Sequence, residues 1–253
     1  MSGYENSPRA GEWFVGQLRL TIFPSSPQNI TDVNWWADLT GEQPEEKVIK
    51  PNQGFYSESG PFENNILLLN VVPPKIDWVW AIPINKQVEP DRIPVIGDYF
   101  ESHEFFVNIM EKWLNSVSDI KFNRLAYGAV LLMPVKDKVS GYKKIANYLP
   151  EVRLDPENSR DFFYQINRPR HYSSKPELSI NRLMKWKVLK QSYFLSTSPQ
   201  SVMATAEDNF ACQVELDINT SNEISTELPS EEIINIWHEL ALLGIEISEK
   251  GDF

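Results

Sequence analysis

Phe210, Cys212, Val214, Leu216 and Ile218 alternate with Gln213, Glu215 and Asp217. Apolar residues at a spacing of two require an extended strand with one buried face and one wet face. The same pattern recurs. Phe14, Leu18, Leu20 and Ile22 share one side of a run from Trp13 to Phe23 that Pro24 ends. Ile76, Trp78, Trp80 and Ile82 alternate in the second arm of a hairpin predicted around Pro73-Pro74-Lys75, whose first arm is Ile66 to Val72. Leu125 to Val135 reads as an apolar strand, and further strand-like runs lie at 161–167 and 181–190.

Helical spacing separates these runs. Thr31 or Asp32 can cap a short helix in which Val33, Trp36 and Ala37 share a face. Phe106, Ile109, Met110 and Trp113 fall at i, i+3, i+4 and i+7 of a helix predicted over 98–114. Ser140 is the expected cap of a helix carrying Tyr142, Ile145, Ala146 and Leu149, which Pro150 stops. Ser230, Glu231 and Glu232 open a final helix with the stripe Ile233, Ile236, Trp237 and Leu240, and Gly244 reads as its C′ residue. The polar, proline-containing stretch from Gly41 to Asn65 is expected to contain loops.

The order strand, short helix, antiparallel strands, long helix thus occurs twice, with Pro24 and Pro134 lying 110 residues apart. The expected fold class is α+β: two tandem pseudo-repeated halves, residues 1–120 and 121–253, with helices packed on one face of the sheet. Unrelated amphipathic patterns that happen to match are the alternative.

Two short motifs carry a resemblance. Asn123-Arg124-Leu125-Ala126-Tyr127-Gly128 places an arginine at the opening of the central strand, and Val214-Glu215-Leu216-Asp217-Ile218-Asn219 precedes a closing helix with Trp237-His238. In these motifs and in its segment order the chain resembles an uncharacterised, sporadically distributed bacterial family of about 250 residues. The resemblance implies a two-part bacterial cytoplasmic protein. It carries over no activity, cofactor or catalytic residue. The patchy distribution suggests a host-defence or toxin-control setting.

Charge is segregated. Residues 1–120 hold 8 basic and 17 acidic residues, residues 121–190 hold 15 and 6, and residues 191–253 hold 1 and 12. The net charges are −9, +9 and −11, and the whole chain stands at −11. Arg160, Arg168, Arg170, Lys175, Arg182, Lys185, Lys187 and Lys190 are interleaved with Phe162, Phe163, Tyr164, His171, Tyr172 and Trp186. Cations beside aromatics can hold phosphates and stack bases. They can also meet a protein partner, or neutralise the acidic segments of their own chain. A net −11 chain repels polyanions at long range, so nucleic acid requires a focused patch. The candidate binding residues are Arg168, Arg170, His171, Arg182, Lys185 and Lys187. On a strand, Lys185 and Lys187 face one way and Arg182 the other.

Signals of chemistry are sparse. His103, His171 and His238 have no i, i+4 partner, and no HExxH, CxxC, GxGxxG, Walker A or GxSxG motif is present. No metal site and no cofactor is therefore expected. Cys212 lies on the apolar side of its strand, which favours a core role over a nucleophile. His171 beside Arg168 and Arg170 could serve as an acid or base near a phosphate. Glu215 and Asp217 near Lys185 or Lys187 would suit a metal-dependent hydrolase.

The most apolar stretch, Ala126 to Val135, is ten residues, half of what a membrane span needs. Met1 to Asn6 shows no basic stretch before an apolar run, so a cytoplasmic location is expected. The leading expectation is a non-catalytic protein that binds a protein partner as a complex subunit or regulator. Nucleic-acid or nucleotide binding through 160–190, and metal-dependent hydrolysis, are the alternatives.

Overall fold

The protein is described here by a computed structural model covering residues 12–28, 33–83, 92–191, 194–195, 204–205, 208–221 and 227–251. In chain order the elements are β1 (Phe14–Pro24), α1 (Trp35–Thr40), β2 (Glu46–Lys50), β3 (Phe55–Phe62), β4 (Asn65–Val72), β5 (Lys75–Ala81), α2 (Tyr99–Ser116), β6 (Phe122–Val135) and α3 (Lys138–Tyr148). They continue with β7 (Phe163–Asn167), β8 (Arg170–His171), β9 (Ser179–Gln191), β10 (Phe194–Leu195), β11 (Ala204–Thr205), β12 (Asn209–Thr220) and α4 (Ile233–Lys250).

Ten strands join in one antiparallel sheet, in the order β2-β3-β4-β5-β1-β6-β12-β9-β7, with β8 paired to β9 beside β7. β10 and β11 form a separate two-stranded ladder. β1 and β6 lie side by side at the centre, Leu20 opposite Tyr127 and Ile22 opposite Leu125. The sheet therefore runs without a break across residue 120.

The expected α+β protein of two halves is corrected by this arrangement. Among the described residues one continuous antiparallel sheet dominates, with strand at 42 % against helix at 29 % and only four α-helices, so a helix layer packed on one face does not define the fold as expected. The physical reason lies mainly in the stretch from Gly41 to Asn65. It holds β2 and β3, not loops alone. β2 is exposed at every residue and β3 alternates buried Tyr56, Glu58 and Gly60 with half-buried Ser57 and Ser59. Such polar strands lack the apolar alternation that marks a strand in sequence; neighbouring strands, not propensity, hold them extended.

Helix ends also differ from the sequence reading. Asp98 caps α2, accepting from the Phe100 and Glu101 amides. Asp137, rather than Ser140, caps α3, accepting from the Ser140 amide at 2.7 Å. Gly244 lies inside α4, not after it. A Cβ there would stand 2.8 Å from Tyr127 Cε1 and 2.8 Å from Tyr99 Oη, so the glycine serves the close approach of α4 to the sheet. The Thr31 and Asp32 cap falls outside the described residues.

The core forms where α2 meets β1, α4 meets β6 and β12, and α3 meets β12 and β9. Leu18, Leu20, Tyr127, Val214, Met184 and Trp186 are fully buried on that side. Trp36 stacks on Trp78 at 6.1 Å between centroids, and Trp113 meets Trp78 edge-on at 5.6 Å. Burying side chains of this size stabilises the fold by about 1.5–3 kcal/mol each, which makes the aromatic set the main anchor between helices and sheet.

Candidate macromolecular interface

Strand alternation assigns each candidate residue to a side. On β9, Arg182 points with Met184 and Trp186 toward the helices, and it is 1 % exposed. Lys185 and Lys187 point the other way and are half-buried. Arg170 and His171 form β8, opposite Ile180 and Ser179. Arg168 sits between β7 and β8, its amide donating to the Arg182 carbonyl at 3.2 Å. The six residues therefore do not form one patch.

The basic stretch around β8 is fastened to α4. Arg170 donates to Glu246, Tyr172 donates to Glu232 Oε2 at 2.8 Å, and the Ser173 amide donates to Glu239 Oε1 at 3.0 Å, with a second bond from the Ser173 hydroxyl to the same carboxylate. Glu232, just before α4, and Glu239 and Glu246 within it are spaced by seven, about two helical turns, so they line up along one edge of the helix and its N-terminal end. The carboxyl of Glu232 is held below its ordinary range, chiefly by the hydrogen bond from Tyr172 and then by that from Asn235. Burial raises Glu246, but the hydrogen bonds and charge of Arg170, with Arg182 and Lys250 behind it, outweigh burial and lower it. The i, i+7, i+14 spacing was the sequence signal for this clamp.

Other cations are engaged likewise. Lys185 meets Glu215 at 2.8 Å and Lys190 meets Asp208 at 2.7 Å. Each pair is exposed enough to contribute little stability. Their effect is to cancel the positive field of the central segment with the acidic C-terminal one.

The sheet face turned away from α2, α3 and α4 carries no helix among the described residues. Three registered rows cross it. In one, Ser57, Asn70, Asp77, Thr21, Ala126, Asn219 and Asn181 stand in line from β3 to β9. Hydrogen bonds link the row: Ser57 to Asn70 at 2.8 Å, Thr21 to Asp77 at 2.6 Å and Asn181 to Asn219 at 3.1 Å. In the next row Leu68, Val79, Arg19, Gly128, Asp217 and Leu183 are aligned. Arg19 lies over Gly128, where a Cβ would touch its guanidinium at 3.0–3.1 Å, and reaches Asp217 at 3.7 Å. The third row holds Ile66, Ala81, Gln17, Val130, Glu215 and Lys185. The face is thus a mixture of aliphatic, amide and charge-balanced groups, in which Thr21, Asp77, Ala126 and Asn219 are buried and Arg19, Leu68, Val79, Asp217 and Leu183 are half-buried. Period-two strands imply such a second face, but which strands share it is set by pairing.

A scan of protein-family models finds no match to this chain. A search of curated proteins finds none either.

Among the described residues His171 is not brought together with Glu215 and Asp217. His171 is exposed at the sheet edge. Glu215 is held by Lys185 and Asp217 by Arg19, and among the described residues no group of three or more His, Cys, Asp or Glu is placed to hold a metal ion. Two clefts, of about 530 Å³ between Pro24, Pro51 and Pro73 and about 540 Å³ between Phe14, Pro134 and Phe210, do not include His171. Among the described residues no helix is long and apolar enough to cross a membrane.

Proposed function

We propose that this is a non-catalytic bacterial protein, located in the cytoplasm, that works by binding another protein through the uncovered face of its sheet. The observation that carries the reading is the distribution of charge. Arg170, Lys185 and Lys190 are joined to carboxylates of the same chain, so these three cations of the central segment are engaged internally rather than offered to a phosphate backbone. The uncovered face instead presents Leu68, Val79 and Leu183 beside amide and hydroxyl groups, with Arg19–Asp217 and Lys185–Glu215 balancing each other. Mixed apolar and polar area of this kind is the make-up of a non-obligate protein interface. It suits a partner surface of interspersed polar and aliphatic groups without a strong net charge. The single cysteine, buried and free at Cys212, agrees with a reducing compartment.

The experiment is affinity capture from native extract at low salt with paired variants. Leu68→Glu and Leu183→Glu place a charge on the uncovered face. Leu242→Glu does so on α4, where Leu242 is 65 % exposed. Wild type and Leu242→Glu are expected to retain the same protein, and the two sheet variants to lose it while keeping wild-type circular dichroism. Retention by all four proteins would overturn the reading. So would recovery of oligonucleotides instead, with a steep salt slope that Lys187→Ala reduces.

A further inference from the structure

We propose that β2 pairs antiparallel with β2 of a second copy of this chain, in the register that sets Val48 opposite Val48. This goes beyond the partner reading above and does not depend on it. β2 is the terminal strand on one side of the sheet. Among the described residues it is hydrogen-bonded to β3 alone, and all five of its residues are exposed, including Val48 at 43 % and Ile49 at 40 %. Alternate N–H and C=O groups of such an edge point outward and are a template for another strand.

Short, charged edge strands ordinarily block that pairing. Glu46-Lys47-Val48-Ile49-Lys50 is different because its charges are self-complementary. Centred on Val48, the antiparallel register sets Glu46 of one copy opposite Lys50 of the other, twice by symmetry, and Lys47 opposite Ile49. Centring on Lys47 would oppose Lys47 to itself. Centring on Ile49 would leave both Glu46–Lys50 pairs unmade. Lys47 is already satisfied within its own chain, 3.0 Å from the buried Glu58 carboxylate, so it brings no unbalanced charge to the junction. Glu46 makes no ion pair with a described residue, and Lys50 lies only over the Phe55 ring at 5.3 Å.

The junction also extends the uncovered face. Val48 is opposite Ser57 in the β2–β3 ladder, so it continues the row of Ser57, Asn70, Asp77 and Thr21. Two copies joined here would present two such faces in one sheet. A five-residue ladder is far smaller than a standard interface, so the dimer is weak and dependent on concentration.

Sedimentation velocity over a concentration series tests the proposal. Wild type is expected to shift from monomer to dimer as concentration rises. Lys50→Glu opposes like charges twice and is expected to weaken the dimer about tenfold, since two attractive cross-strand pairs are lost and repulsion replaces them. Glu46→Lys is expected to do the same. The double variant Glu46→Lys with Lys50→Glu exchanges the charges and is expected to restore dimerisation. These residues are exposed, so the variants keep the fold, which circular dichroism verifies. A wild type that stays monomeric throughout overturns the proposal. Dimerisation unchanged in the single variants, or not restored in the double one, overturns it equally.

Discussion

Arg170 holds Glu246 through two parallel hydrogen bonds, Nη1 to Oε2 at 2.8 Å and Nη2 to Oε1 at 2.9 Å. A cation that the sequence offers for an external ligand is thereby spent on the last helix. Because Glu246 is held below its ordinary carboxyl range, the folded protein favours its ionised form. The stabilisation is complete above the ordinary value of 4.5 and is lost as pH falls toward the folded one. Glu246→Gln is expected to lose about 1 kcal/mol at neutral pH and to lose less than wild type on acidification, as read from urea midpoints measured against pH.

His103 predicts a second pH effect, at higher pH. Burial holds its imidazole below 6.5, against the Ala241 carbonyl and the charge of Glu104. Its Nε2 lies 3.1 Å from the Ala241 carbonyl, to which it donates, and the ring packs edge-on between Tyr99 and Tyr127. The unfolded chain takes up the proton first, so the stabilisation is full above 6.5 and falls as pH drops below it. His103→Gln, which keeps a donor, is expected to flatten the pH dependence of the thermal midpoint between about pH 6.5 and 5.

Two glycines should respond differently to alanine. At Gly128 the new methyl meets the flexible guanidinium of Arg19, which can shift, so Gly128→Ala is expected to cost under about 1 kcal/mol. At Gly244 it meets Tyr99 and Tyr127 rings that are completely buried. Gly244→Ala is therefore expected to cost about 1–3 kcal/mol by overpacking, visible as a lower denaturant midpoint at unchanged slope.

Cys212 should be inert while the protein is folded. Burial pushes its thiol up to about 12, with Lys144 opposing the rise, and the thiol donates to the Gly141 carbonyl at 3.3 Å. Thiol labelling at neutral pH is expected to follow unfolding, with a rate that rises in step with urea. Rapid labelling of the folded protein would contradict the burial.

The strongly patterned elements were legible in the chain. Phe210 to Ile218 lies in β12, and Phe106, Met110 and Trp113 are buried along α2, because a period of two or of 3.6 is a local property that neighbours in sequence enforce. β2 and β3 were hidden in a polar stretch whose extended form depends on pairing with distant strands. Arg170 and Lys185 were visible as cations, and Glu246 and Glu215 as acids, but not as partners.

From its own residues the chain determines which strongly patterned segments are strand or helix and which side of each is apolar, since both follow from spacing along the backbone. That the strands join in one ten-membered sheet, that β8 locks onto the acidic edge of α4, and that Arg182 is buried while Lys185 is not, only the tertiary structure decides. The physical reason is that hydrogen-bond register and ion pairing link residues far apart in sequence, and their energies depend on distance and burial that no local pattern contains.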